Sequence, residues 1–136
     1  MAAEAALPAL YAGFGCRRGC SLDHLDTLLR QSLAAHGQAL GTLRGIATIS
    51  LKADEPGLEQ LALRLGLPLV VFTASQLQAF EPLLTHRSAS AYAHSGCWGV
   101  AESAALALAS REHGSARLRV MRQSSGAATV ALACGG

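Results

Sequence analysis

Two adjacent arginines inside a glycine-rich stretch are the residues of this chain best equipped for chemistry. Gly13-Phe14-Gly15-Cys16-Arg17-Arg18-Gly19-Cys20-Ser21 follows an apolar run, Leu7 to Ala12, and precedes a helical pattern that begins at Leu22. A strand that feeds a glycine turn and then a helix offers backbone N–H groups and a positive helix end to whatever lies above it. Flat, forked guanidinium groups at that spot suit carboxylate or phosphate. The stretch therefore reads as an anion site, with Cys16, Arg17 and Arg18 against the ligand and Gly13, Gly15 and Gly19 letting backbone come close. A plain tight turn with solvated arginines accounts for the same pattern.

Two further segments repeat the arrangement of polar residues before a helix. Lys52-Ala53-Asp54-Glu55-Pro56-Gly57 follows a β-branched run, and Gly96-Cys97-Trp98-Gly99-Val100-Ala101-Glu102-Ser103 again sets glycines before a helical pattern. In an open parallel sheet, ligands bind beyond the carboxyl ends of the strands. Loops following successive strands share one rim, so Arg17, Arg18, Lys52, Asp54 and Glu55 are expected together, with Gly99, Glu102 and Ser103 joining them. Lys52 and Arg18 pairing with Asp54 and Glu55 is the plainer alternative, worth about 0–1 kcal/mol if exposed. Asp54 is also a natural helix cap. Glu102 stands alone in an apolar helical stretch; if buried it needs a partner, and backbone N–H groups of the glycine loop are the expected donors.

Other chemistries find less support. Cys16, Cys20 and His24 suggest a metal set only loosely, because the C-x-x-x-C spacing matches no zinc knuckle and no fourth ligand is near. No metal and no cofactor is expected. There is no G-x-S-x-G elbow, no dinucleotide fingerprint and no Walker motif. No catalytic residue can be assigned from spacing. A formal net charge of +2, with no basic run interleaved with aromatics, argues against nucleic acid. No apolar stretch reaches the ~20 residues that span a bilayer, and Met1 to Leu7 lacks a basic signal-peptide start. Free thiols and a cytoplasmic location are the expectation.

The elements that must position these residues are legible from periodicity. The 136 residues, 51% hydrophobic and 15% charged, suit one domain spanning 1–136 with a single sizeable core. Leu7 to Ala12 reads as a central strand. Ser21 caps a helix with Leu22, Leu25, Leu29 and Leu33 on one face, stopped near Gly37. Ile46 to Leu51 is a second strand, and Pro56 opens a second helix that ends at Gly66. Leu69 to Phe72 is a third strand, followed by a short helix from about Gln76 to Phe80. Leu83 to Trp98 has no clean period and reads as a long functional loop with room for a helical turn inside it. A helix from Val100 to about His113 follows, then a hairpin of Arg117 to Gln123 and Ala127 to Ala133. This order predicts an α/β fold, a three-layer α/β/α domain with a mainly parallel central sheet and a C-terminal antiparallel hairpin at its edge.

Taken together, the Gly13–Gly19, Lys52–Leu58 and Gly99–Ala105 motifs, in that order and spacing, resemble the CobE/CbiG C-terminal domain family of cobalamin biosynthesis proteins. The resemblance covers about Leu7 to Ala133, and a chain of this length is most similar to the family's stand-alone members. It implies contact with a precorrin or corrinoid tetrapyrrole, as carrier or accessory in the aerobic pathway, with other pathway enzymes as further partners. It also implies an alternative, since a similar domain ends a longer hydrolase that opens a precorrin lactone and releases acetaldehyde; Asp54, Glu55 or Glu102 would then be acid or base. A macrocycle fringed with carboxylates fits a rim bearing Arg17, Arg18 and Lys52, and Trp98 with the apolar part of its loop could cover the ring face.

Overall fold

The computed structural model describes residues 8–50 and 55–136. Five strands form one sheet in the order β3-β2-β1-β5-β4. They are β1 (Leu10–Cys16), β2 (Leu43–Ile49), β3 (Leu69–Phe72), β4 (Ala116–Ser125) and β5 (Ala128–Gly135). The helices are α1 (Leu22–Ala35), α2 (Pro56–Leu65), α3 (Ala74–Gln78), α4 (Ala89–Ser95) and α5 (Val100–His113). β1, β2 and β3 pair in parallel, whereas β5 runs antiparallel to both β1 and β4. The expected α/β architecture is present: a parallel half and a C-terminal hairpin. One strand of that hairpin, β5, lies in the interior of the sheet and leaves β4 as the edge.

Alternation along the strands divides the core into two layers. Leu10, Ala12 and Phe14 of β1 and Val130 and Leu132 of β5 pack with Leu25, Leu29 and Leu33 of α1 and Leu58 and Leu61 of α2. On the opposite face Tyr11, Ala47, Ala131 and Ala133 pack with Leu77 of α3 and a run of small residues from Ala101 to Ala109 of α5. α5 is buried nearly all round from Ala101 to Ala109, which explains why its sequence shows no amphipathic stripe.

Several boundaries differ from the expectation. β1 begins at Leu10 and continues to Cys16, so Gly13, Gly15 and Cys16 are strand residues rather than turn residues. Gly13 pairs with Ala47 on one side and with Ala131 on the other. β2 begins earlier, at Leu43, and ends at Ile49; Leu51, the expected last residue, lies outside the described residues. The expected loop from Leu83 to Trp98 contains α4, capped by the Ser88 hydroxyl, which accepts from the Ala91 N–H at 3.1 Å. α4 buries none of its residues, so it carries no apolar period to read.

Candidate functional site

The parallel half of the sheet places helix starts on one rim. α1 and α2 begin beyond the carboxyl ends of β1 and β2 on one face. α5 begins there on the other: a Cβ on Gly15 would stand 3.7 Å from Cβ of Val100, the first residue of α5. Three N-termini, each equivalent to roughly half a positive charge, therefore border the end of β1. The tip of the β4–β5 hairpin completes the rim. Arg17 donates its backbone N–H to Ala127 O at 2.9 Å, and His24 Nε2–H donates to Ser125 O at 2.5 Å.

Arg17 and Arg18 stand exposed in the turn that leaves β1. Among the described residues neither guanidinium makes an ion pair, as is also true of Arg44, Arg117, Arg119 and Arg122, whereas Arg30, Arg64, Arg87 and Arg111 each do. Gly19 follows with a φ of +80°, a left-handed conformation that suits glycine. Its N–H donates to Glu55 Oε1 at 2.5 Å. Glu55 is the N-cap residue of α2, yet its carboxylate ties down the preceding turn instead of capping its own helix. Gly57 makes the junction tight, since a Cβ there would come within 2.2 Å of Cys20 O. Lys52 and Asp54, the other expected members of this group, lie outside the described residues.

A cleft of about 530 Å³ opens between the first turns of α1 and α2, lined by Gly19, Cys20, Asp23, Glu55, Gln60 and Arg64 among others. Its charges are largely spoken for: Arg64 pairs with Asp26 at 3.3 Å and reaches Asp23 at 3.8 Å. Burial and the neighbouring Glu55 carboxylate push the Cys20 thiol pKa up, which keeps it protonated and weakly nucleophilic.

The structure uses Gly13, Gly99, Glu102 and Ser103 in packing. A Cβ on Gly13 would lie 2.0 Å from Ala101 O and 2.5 Å from Ala105 N, so its bare backbone admits α5 to the sheet. Gly99 is the buried N-cap position of α5. Ser103 is fully buried and lies 3.6 Å from Cys97 Sγ, which donates to its hydroxyl. Glu102, 1% exposed, accepts from backbone N–H groups of Thr85 at 2.8 Å, His86 at 3.2 Å and Arg122 at 3.0 Å, and from the Thr85 hydroxyl in a short bond. Burial raises its pKa, but the hydrogen bonds outweigh burial and hold the carboxyl below its ordinary range. The glycine loop is not its partner; Glu55 plays that part. With its oxygens occupied and no exposure, Glu102 is a staple rather than the acid or base considered for it.

That staple also fixes a neighbour, His86, to which no sequence motif points. The Thr85 hydroxyl gives its one proton to Glu102, so at 2.7 Å it accepts from His86 Nδ1–H. The lone pair of a neutral His86 is thereby left on Nε2. No local pattern could have signalled this, because the three residues meet only when the 81–88 segment folds across the start of α5. Among the described residues no three His, Cys, Asp or Glu side chains converge in a way that could hold a metal ion, and no helix is long and apolar enough to cross a membrane.

Comparison with known proteins gives a consistent picture. The chain is 37% identical over 124 residues to Protein CobE of Sinorhizobium sp, spanning 91% of this chain and 79% of that one. It is 28% identical to the cobalt-precorrin-5A hydrolase of Priestia megaterium over 124 residues, spanning 91% of this chain but only 32% of the hydrolase. A crystal structure of CobE, from the cobalamin (vitamin B12) biosynthetic pathway, matches with a TM-score of 0.89 and 46% identity over 95% of this chain and 94% of that one. The family model described as Cobalamin synthesis G C-terminus matches residues 10–133, and the chain belongs to that family of cobalamin biosynthesis proteins.

Proposed function

We propose that the rim at the end of β1 binds a precorrin or corrinoid intermediate through its peripheral carboxylates, and that the chain serves as carrier or accessory to another pathway enzyme. The observation that supports this reading is the adjacent, exposed guanidinium groups of Arg17 and Arg18, with no ion pair among the described residues, set where three helices begin. Each arginine can make two parallel bonds to one carboxylate, and the helix ends add a favourable field. Gly15 and Cys16 end the strand that leads into the arginine turn, Gly19 closes that turn in a left-handed conformation, and Glu55 fixes it. Replacing both (Arg17→Ala with Arg18→Ala) is expected to weaken binding of a carboxylate-fringed tetrapyrrole at least about tenfold, or 1.4 kcal/mol. It should also flatten the salt dependence of binding. Absorbance titration at two ionic strengths measures both, and unchanged affinity would eliminate the assignment.

A second reading, lactone hydrolysis, is favoured by the similarity to cobalt-precorrin-5A hydrolases. It needs a free acid or base. Of the carboxylates considered for that role, Glu55 is 7% exposed and bonded to Gly19, Glu102 is stapled, and Asp54 lies outside the described residues. Release of acetaldehyde from a lactone-bearing precorrin by the purified chain separates this reading from simple binding.

A further inference from the structure

Tyr92 of α4 stacks on Trp98 with ring centroids 4.5 Å apart and planes 21° from parallel. The pair is not part of the core: α4 has no buried residue, Tyr92 is 45% exposed and Trp98 is half-buried. An aromatic stack outside the core gains little from folding, yet this one is held firmly. Ser88 N–H donates to Trp98 O at 2.8 Å and closes the segment at its base. Glu102 grips Thr85 and His86 just before it. The position matters as much as the rigidity. Trp98 lies two residues before Val100, which packs on Gly15, and Gly15 lies two residues before Arg17. The stack thus sits on the segment that leads into α5 where that helix starts at the rim.

We infer that Tyr92, with Trp98 stacked behind it, offers its outer face as an apolar plate for a flat conjugated macrocycle whose edge carboxylates reach Arg17 and Arg18. This rests on the tetrapyrrole reading above and adds a recognition element to it: the arginines read charge, while the plate reads the ring. A π-face offered by two parallel rings is tolerant of substituents and selective for breadth. Acyclic polycarboxylates would satisfy the arginines and miss the plate.

Two probes separate the contributions: uroporphyrin, a macrocycle with eight carboxylates, and butane-1,2,3,4-tetracarboxylate, which has no ring. Binding of the first is followed by its absorbance and by quenching of Trp98, the chain's single tryptophan, and binding of the second by calorimetry. Tyr92→Ala should weaken uroporphyrin binding about 5- to 30-fold and leave the tetracarboxylate unchanged, and Tyr92→Phe should restore it. Arg17→Ala with Arg18→Ala should weaken both. If Tyr92→Ala and Trp98→Phe bind uroporphyrin like the unaltered chain while the arginine variant does not, the plate is wrong and the arginine site survives. If Tyr92→Ala weakens both probes alike, the plate is equally wrong. If the unaltered chain ignores uroporphyrin, or the arginine variant binds it undiminished, both readings fall.

Discussion

Glu102 shows how a single buried acid can organise a surface. Its oxygens collect three backbone N–H groups and one hydroxyl from two separate segments. Replacing it with Gln would turn an amide donor towards groups that are themselves donors. Glu102→Gln is expected to cost about 3 kcal/mol of unfolding free energy, measured by denaturant titration. Since folding lowers this pKa from its ordinary value of 4.5, the unfolded chain takes up the proton first as pH falls. The stabilisation is therefore complete above the ordinary range and drains away as pH drops through and below it. Unfolding followed between pH 7 and pH 3 should show a shallower acid dependence in the variant; an equal slope would remove Glu102 as the cause. That a lone acid in an apolar helix needed partners was legible in the sequence. Which partners was not, because they lie 16 to 20 residues away in either direction.

At the scale of elements, glycine misled where helix periodicity did not. α1 runs from Leu22 to Ala35 with Ser21 as its cap, its hydroxyl accepting the His24 N–H at 3.1 Å, as its leucine spacing and capping serine indicate. The end of β1 was hidden, since glycines at 13 and 15 look like a turn to any reader of local pattern. Their reason is tertiary: α5 crosses so close that its backbone occupies the space of a side chain at Gly13. Gly13→Ala should therefore displace α5 and destabilise the fold by about 3 kcal/mol or more, read as a fall in the thermal midpoint. A value within a few tenths of wild type would mean that the helix has room to move.

For the molecule as a whole, alternation of strands and helices announced the α/β class, and the structure of CobE shares it. The arginine pair was equally readable, because its residue types and position after a strand are local facts. Trp98 was already a candidate to cover a ring face, but its stack with Tyr92 was not legible, for it depends on α4, a helix without an apolar face. Size sets the expectation for turnover. The chain spans 32% of the Priestia hydrolase, and of the three acids considered for turnover Glu55 and Glu102 are committed to structural bonds, while Asp54 lies outside the described residues. Given cobalt-precorrin-5A, the isolated chain is expected to release no acetaldehyde above a no-protein control. Sustained release in a coupled dehydrogenase assay would reverse the order of the two readings.

The adjacency of β1 and β5 bears on how the protein is made. Tyr11 faces Ala133 and Cys16 faces Ala128, so partners more than a hundred residues apart in sequence must meet. During synthesis β1 can gain its parallel neighbour β2 early, but its other flank stays open until β5 clears the ribosome. Closing so long a span is slow, and an unpaired flank invites foreign strands meanwhile. The nascent protein is thus most vulnerable to aggregation just before β5 emerges.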